Sequence, residues 1–391
     1  MSSNTKPVRV ALIGTQFMGR VHSHAYKTVA GFLPLKNAPV MAVICGRDAA
    51  RTQSVAARFG WQESSANWKH VVERDDIDLV DISTPGDTHC EIALAALKNG
   101  KHVICEKPLA NTVAEATKMA GAAAKAKVNN MCAFNYRCVP AVAHAKQMIE
   151  RGDLGKIYHF RARYLQDWIL DPKFPLVWRL RKEMAASGPH GDLNAHLIDL
   201  ARYLAGEITE VCGMMETFIK NRPLPAGEGE LGGAAKKTTT KFGEVTVDDA
   251  ALFLARFESG ALGSFEATRF AAGRKNHNTF EINGEKGSLV FDLERLNELE
   301  YYNCGDAATE RGFRTILCTE GGHPYAGYWW PAGHMIGYEH TFTHEIWEML
   351  KAIESGKVSA TPNFSDGLAC QRVLEAVQQS VDTKKWRDVK R

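Results

Sequence analysis

From residue 8 to residue 151 the chain alternates short apolar runs with helical patterns, and this alternation constrains the fold more than any other feature. The runs fall at 8–13, 40–45, 79–82, 103–105 and 130–134, and helical spacing falls at 18–30, 48–59, 87–99, 112–126 and 139–151. A strand that returns to the same sheet in the same direction needs a crossover about as long as a helix. Strand–helix alternation therefore predicts a parallel, doubly wound α/β sheet. Gly100 and Gly152 stand where helix C-termini should fall.

The pattern changes after Arg151-Gly152-Asp153-Leu154-Gly155. Residues 157–166 alternate as a strand does, and 192–204 place Leu193, His196, Leu197, Leu200 and Leu204 near helical spacing. Strand-like runs follow at 210–219, 250–258, 262–270, 279–283, 288–291 and 299–302, with hairpin signals at Ser259-Gly260 and Lys286-Gly287. The prediction is an α+β second domain, an open and mainly antiparallel sheet backed by helices. Two last helices are expected at 338–355 and 365–382. The domains are set at 1–151 and 152–391, with the final helices free to pack back on the first domain. Residues 221–244, rich in Gly, Pro, Lys and Thr, read as a mobile surface loop, an inert insertion in preference to a lid.

Composition excludes several function classes. The 48 Lys and Arg against 45 Asp and Glu leave a net charge of +3, and no basic tract stands out. A polyanionic partner such as nucleic acid is therefore not expected. No apolar stretch reaches membrane-spanning length and none near residue 1 reads as a signal peptide, so no membrane partner is expected and a cytoplasmic location is. The nine cysteines include no CxxC spacing and several sit in apolar runs. Reduced, buried thiols are expected, and no metal site.

The first strand ends in Ile13-Gly14-Thr15-Gln16-Phe17-Met18-Gly19. The dinucleotide fingerprint is G-x-G-x-x-G, and here Gln16 replaces the second glycine. The turn follows a strand and opens a helix, whose N-terminus offers N–H groups and a positive dipole end to phosphate. Nucleotide binding is expected at Gly14, Gln16, Phe17, Met18 and Gly19. At the end of the second strand Gly46 stands where an acid would bind the ribose of NAD, and Arg47 follows. That pair favours NADP over NAD; the other reading has Arg47 stacked on adenine, or Asp48 serving NAD. Ser83-Thr84-Pro85 ends the third strand at the ligand edge, with His89 more a support of that turn than a chemical group. His22 and His24 on the first helix are assigned to core packing.

The fourth strand, Val103-Ile104-Cys105, runs into Glu106-Lys107-Pro108, and a lysine held at a strand end is placed for chemistry. Together with Gly100-Lys101-His102-Val103, Gly152-Asp153-Leu154-Gly155-Lys156-Ile157, Asp192 with His196, Gly273-Arg274-Lys275-Asn276 and Gly284-Glu285-Lys286-Gly287, these residues resemble the Gfo/Idh/MocA family of NAD(P)-dependent oxidoreductases. The likeness runs over essentially the whole chain. Phe134-Asn135-Tyr136-Arg137 and Tyr164-Leu165-Gln166-Asp167-Trp168 point within it to the sugar and polyol dehydrogenases. Gln16 and Gly86, where many members have Asn, are departures. The resemblance implies a Rossmann domain, a second-domain sheet used for dimer or tetramer assembly, cofactor contacts that include Glu106 and Lys107, and a catalytic group of Lys107, Asp192 and His196.

Those residue types suit alcohol oxidation. Asp192 and His196 are four apart on a predicted helix and share a face. Histidine titrates near neutrality and can take the hydroxyl proton. Lys107 can stabilise the developing alkoxide, or move the proton itself with His196 assisting. Tyr136, Arg137, Gln166 and Trp168 are the candidate substrate residues. The aromatic segment 323–334 either covers a pocket or forms a subunit contact. Two other readings are a glycoside-cleaving enzyme that uses its nucleotide transiently and a non-catalytic nucleotide sensor.

Overall fold

The computed structural model describes residues 6–226 and 238–390. The chain forms two compact units. One runs to Asn135 and includes Tyr338–Gln371; the other holds Tyr136–Gly337 and the residues from Arg372 onward.

In the first unit β1 (Arg9–Ile13), α1 (Phe17–Phe32), β2 (Val40–Cys45), α2 (Ala49–Phe59), β3 (Glu63–Ser65), α3 (Trp68–Glu73), β4 (Leu79–Ile82), α4 (His89–Lys98), β5 (His102–Glu106), α5 (Val113–Ala126) and β6 (Asn130–Ala133) follow in order. The six strands are all parallel, in the order β3-β2-β1-β4-β5-β6. This is the doubly wound arrangement read from the alternating runs. The polar, three-residue β3 at the edge and α3 after it were not visible in the sequence, since neither carries an apolar run. Helix α1 buries Gly19, His22, Ser23, Ala25, Tyr26 and Val29 along one face. Asp48 caps α2 by accepting from the Arg51 N–H, and Gly60 ends it at φ +86°. The register sets Ile13 beside Cys45 and Ile82, and Ile82 beside Cys105. Gly14, Gly46, Ser83 and Glu106 therefore share one edge of the sheet, at the point where strand order reverses.

The second unit begins with α6 (Pro140–Glu150), β7 (Ile157–Leu165) and the short helices α7 (Lys182–Ala185) and α8 (Pro189–Asp192). Helix α9 (Asn194–Ala205) follows, then β8 (Ile208–Glu216), β9 (Asn221–Pro225), β10 (Thr238–Glu244), β11 (Ala250–Phe257), β12 (Leu262–Thr268), β13 (His277–Gly284), β14 (Gly287–Asp292), β15 (Glu298–Asn303) and β16 (Arg314–Leu317). Later in the chain come α10 (Tyr338–Glu354), which belongs to the first unit, and α11 (Phe364–Thr383), and β17 (Arg387–Asp388) closes the second unit's sheet in the order β16-β15-β14-β13-β7-β12-β11-β8-β17. Its one parallel pair is β7 with β12. Alternation along β11 buries Ala251, Phe253 and Ala255 and exposes Leu252 and Leu254. On the inner face Phe253 stacks on Phe265 at 4.3 Å between centroids, and Phe160 packs against Phe257, Phe265 and Phe280. Each such buried ring contributes about 1.5–3 kcal/mol relative to an exposed one.

Two sequence expectations change. The helix expected over 192–204 breaks at Leu193, so Asp192 ends α8 and His196 lies in the first turn of α9. The segment 221–244 is no loop at its ends: β9 and β10 pair antiparallel, Arg222 opposite Gly243. A two-stranded sheet is all edge, where Pro223 and Pro225 cost little. The rest of that segment, 227–237, lies outside the described residues.

Candidate active site

At the nucleotide edge of the first unit, Gly14 has φ +129°, and a Cβ there would stand 2.5 Å from the Ser83 carbonyl oxygen. A Cβ on Gly19 would stand 2.1 Å from the Gly14 carbonyl. Both glycines are required by close backbone approach. Gln16 is exposed at φ −83°, a conformation open to any residue, so the missing second glycine does not strain this turn. Gln16 makes no side-chain cap on α1 and the first turn holds no acid. The N–H groups of Phe17, Met18 and Gly19 thus face no competing carboxylate, which fits a dinucleotide phosphate.

The ribose end fits less directly. A Cβ at Gly46 would meet Thr15 and Thr52 at 2.7 Å, Asp48 is committed to capping α2, and Arg47 is exposed. His89, almost wholly buried, faces the Thr84 carbonyl at 2.8 Å and the Pro108 carbonyl at 3.1 Å, tying the Ser83-Thr84-Pro85 turn to the turn after β5. Asn111 Oδ1 lies 2.6 Å from the position a Cβ at Gly86 would take, so a neighbouring asparagine fills the space there.

Under the Glu106-Lys107-Pro108 turn lies a buried ionic cluster. His22 places Nδ1 2.8 Å from Asp81 Oδ2 and Nε2 3.1 Å from Glu106 Oε1, and the Lys107 N–H donates to Glu106 Oε2 at 3.0 Å. His22 is therefore an ion-paired centre rather than core filling, and His24 is exposed. Burial alone would push the His22 pKa down; the charges and hydrogen bonds of Asp81 and Glu106 outweigh it and hold the pKa well above the usual histidine value.

In the second unit Asp192 Oδ2 accepts from Arg269 Nη2 at 2.6 Å. The Arg269 guanidinium lies 5.1 Å over the Trp168 ring. Trp168 Nε1 donates to Gln166 Oε1 at 2.8 Å, and Gln166 Nε2 donates to Asn276 Oδ1 at 3.1 Å. Asn276 Oδ1 also accepts from the Tyr164 hydroxyl at 2.7 Å. Tyr164 thereby spends its proton, so the Tyr136 hydroxyl is the donor in their 2.7 Å contact. The Tyr136 ring packs on His196 at 4.4 Å. Tyr136, Gln166 and Trp168 are thus joined in one polar chain running from His196 to Asp192. Arg137 stands outside that chain. It binds Asp199 through two hydrogen bonds of 2.8 and 2.6 Å and stacks on Tyr203.

Sequence reasoning missed Arg269, His22 and the linking role of Asn276. The one signal for Arg269 was a charged residue at the buried end of an apolar strand. His277, Asp292 and Glu294 gather closely, but the cation among them is the Arg274 guanidinium, 3.4 Å from His277 Nδ1. Among the described residues no helix is long and apolar enough to cross a membrane.

A parallel sheet whose first helix begins with no side-chain cap and no acid in its first turn, followed in the same chain by a mixed sheet that carries the Asp192/His196 array, defines a nicotinamide-nucleotide-dependent oxidoreductase. Residues 8–134 match the oxidoreductase family with an NAD-binding Rossmann fold, and 142–290 match the GFO/IDH/MocA C-terminal domain. The chain belongs to the Gfo/Idh/MocA family. Levoglucosan dehydrogenase of Pseudarthrobacter phenanthrenivorans is 44% identical over 384 residues, 98% of each chain. The myo-inositol 2-dehydrogenase of Thermotoga maritima is 25% identical, over 96% of this chain and 95% of its own. A levoglucosan dehydrogenase solved with NADH and levoglucosan superposes with a TM-score of 0.91 at 42% identity, over 99% of this chain and 100% of that one. An oxidoreductase domain protein from Kribbella flavida gives 0.93 at 49% identity, with the same coverage.

Proposed function

We propose that the protein oxidises a secondary alcohol of a cyclic sugar of the levoglucosan type, or reduces the matching ketone. The observation that carries this reading is the 44% identity to levoglucosan dehydrogenase over 98% of both chains. The polar chain from His196 to Asp192 supports it, since a polyhydroxylated ring needs many fixed donors and acceptors beside flat aromatic surfaces.

When bound, the nicotinamide ring supplies the hydride acceptor. His196 takes the hydroxyl proton as the C–H bond gives up its hydride and the carbonyl forms. The Lys107 cation stabilises the oxygen as charge develops. Asp192, held in place by Arg269, accepts a neighbouring hydroxyl and orients the ring. Tyr136, Gln166 and Trp168 complete the sugar contacts, and Gly14, Gln16, Phe17, Met18, Gly19, Ser83, Thr84, Pro85, His89 and Glu106 line the cofactor's place. NAD is the cofactor, and exposed Arg47 beside side-chain-free Gly46 admits NADP as well.

The outward face of the nine-stranded sheet, with Met214 at 65% and Leu254 at 53% exposure beside Arg161, Arg163, Glu266 and Glu281, is the surface through which we propose homo-oligomer assembly. A cytoplasmic setting suits the nine free cysteines.

The test is a screen of anhydrosugars, sugars and inositols with both cofactors, followed by Lys107→Ala and His196→Ala. Net cofactor reduction with an anhydrosugar, and loss of most of kcat in each variant with cofactor binding retained, is the expected result. Substrate cleavage without net reduced cofactor would replace this reading with the glycoside-cleaving one, and near-normal turnover in either variant would remove that residue from its role.

A further inference from the structure

The buried cluster beneath the Glu106-Lys107 turn holds more charge than packing requires. His22 is 0% exposed, and each of its ring nitrogens faces a carboxylate, one at the end of β4 and one at the end of β5. A neutral imidazole has one N–H and one lone pair. Between two carboxylates at 2.8 and 3.1 Å, it would turn that lone pair toward an anion. With both partners ionised, only the doubly protonated ring satisfies them.

Two hydroxyls, a phenyl ring and a third carboxylate also face the cluster, and none of these four carries positive charge. The Tyr26 hydroxyl donates to Asp81 Oδ2 at 2.9 Å and the Ser83 hydroxyl to Asp81 Oδ1 at 3.2 Å. The Phe342 ring of α10 packs on His22 at 5.7 Å, and Glu345 of the same helix acts on Tyr26 as a further negative charge. Two carboxylates thus share one imidazolium, and the Glu106 oxygen left over from His22 holds the Lys107 backbone N–H at 3.0 Å.

We propose that His22 is a positioning residue for the reaction: as an imidazolium it locks Asp81 to Glu106, and Glu106 fixes the backbone from which Lys107 projects. The proposal rests on the reading of Lys107 as a residue that holds the reacting oxygen. Backbone pairing and the His89 contacts with the Thr84 and Pro108 carbonyls join these strand ends, but they leave the Glu106 side chain that holds the Lys107 N–H free to turn. A buried, charge-assisted bridge removes that freedom. The raised pKa of His22, well above its usual value, keeps the bridge charged through neutrality.

The bridge is tested first in the unaltered protein, by nitrogen NMR of labelled histidine, with His22 assigned from the signal lost in His22→Gln. Both ring nitrogens are expected to stay protonated well above the pH of about 6.5 at which an ordinary histidine loses its proton. Asp81→Asn, which keeps the shape and removes one charge, should lower that titration by about a unit or more and carry the alkaline limb of kcat to lower pH with it. His22→Gln should lose about 10- to 100-fold in kcat while NADH affinity, read by fluorescence, stays within about twofold. A merely structural histidine would lower stability in these variants without moving the pH limb. A neutral His22 at pH 8, an unmoved limb in Asp81→Asn, or kcat preserved in folded His22→Gln would each overturn the proposal. Should His22→Gln fail to fold, Asp81→Asn serves both for the assignment and for the kinetic test. Unchanged turnover in Lys107→Ala would remove the reading on which the proposal rests, and is measured without any change at His22.

Discussion

Arg269 holds Asp192 from behind: its Nη2 lies 2.6 Å from Oδ2, while the guanidinium, 1% exposed, stacks over Trp168. One side chain thus fixes both the carboxylate that orients substrate and the aromatic ring beside it. Lysine keeps the charge but loses the planar fork and the stacking. Arg269→Lys is expected to lower kcat/KM for the sugar by about 10- to 100-fold, with cofactor affinity unchanged. Steady-state kinetics with each ligand varied in turn separates these effects, and a proportional loss in cofactor affinity would speak for general unfolding instead.

Arg137 is fixed by Asp199 and Tyr203 rather than by the polar chain beside it. Its ion pair with Asp199 is bidentate and nearly buried, with side-chain exposures of 11% and 2%. Removing one member of a buried pair leaves the other uncompensated and typically costs about 3 kcal/mol. Arg137→Met should therefore lower denaturant-measured stability by about that amount, and Asp199→Asn by less, because the amide can still accept. If Arg137 instead acted mainly on substrate, Arg137→Met would raise KM and leave stability unchanged.

The elements legible in the sequence were those whose burial writes a period. The strands β1, β2, β4, β5 and β6 are continuous apolar runs because both faces of a parallel sheet are covered. The second sheet showed alternation because one of its faces is exposed. The site was legible only where a motif marked it. Lys107 announced itself by following an apolar run, and Asp192/His196 by spacing, although the helix proved broken at Leu193. Arg269, Asn276 and His22 were silent because their partners lie 77, 110 and 59 residues away in sequence. A buried histidine in an amphipathic helix looks the same whether it packs or pairs. The ends of the 221–244 segment were misread because Pro and Gly signal loops, while edge strands tolerate both.

The nucleotide turn tolerates change unevenly. Gly14 combines φ +129° with a Cβ position 2.5 Å from backbone, whereas Gln16 is exposed in ordinary backbone conformation. Gly14→Ala should abolish measurable NAD binding and lower stability by about 2 kcal/mol or more, since backbone cannot yield as a flexible side chain does. Gln16→Gly, which restores the common fingerprint, should change the cofactor Kd by no more than about threefold. Calorimetric titration of both variants checks the pair, and a large gain in affinity for Gln16→Gly would show that the side chain obstructs the turn.

Cofactor preference should depend on Arg47. No carboxylate is available at Gly46, and Asp48 spends its Oδ1 on the Arg51 N–H at 3.0 Å. A 2′-phosphate would gain the exposed Arg47 cation there. Arg47→Ala is expected to reduce kcat/KM with NADP about tenfold while NAD changes by less than about threefold. Equal losses with both cofactors would mean that Arg47 stacks on adenine, which the two nucleotides share.

The pH dependence of stability should carry the signature of His22. Its folded pKa is raised well above the unfolded value of about 6.5. The native state then binds the extra proton more tightly than the unfolded state does, so the contribution to stability is fully present below pH ~6.5 and fades as pH rises through the folded pKa. Thermal unfolding followed from pH 6 upward should show the His22 contribution to Tm falling from about pH 6.5 and levelling off once the folded pKa is passed. In Glu106→Gln, which removes one of the two anions, the fall should be smaller and should end at lower pH. A Tm that instead rises steadily from pH 6 would mean that the folded cluster holds one proton fewer, with His22 neutral beside two ionised carboxylates.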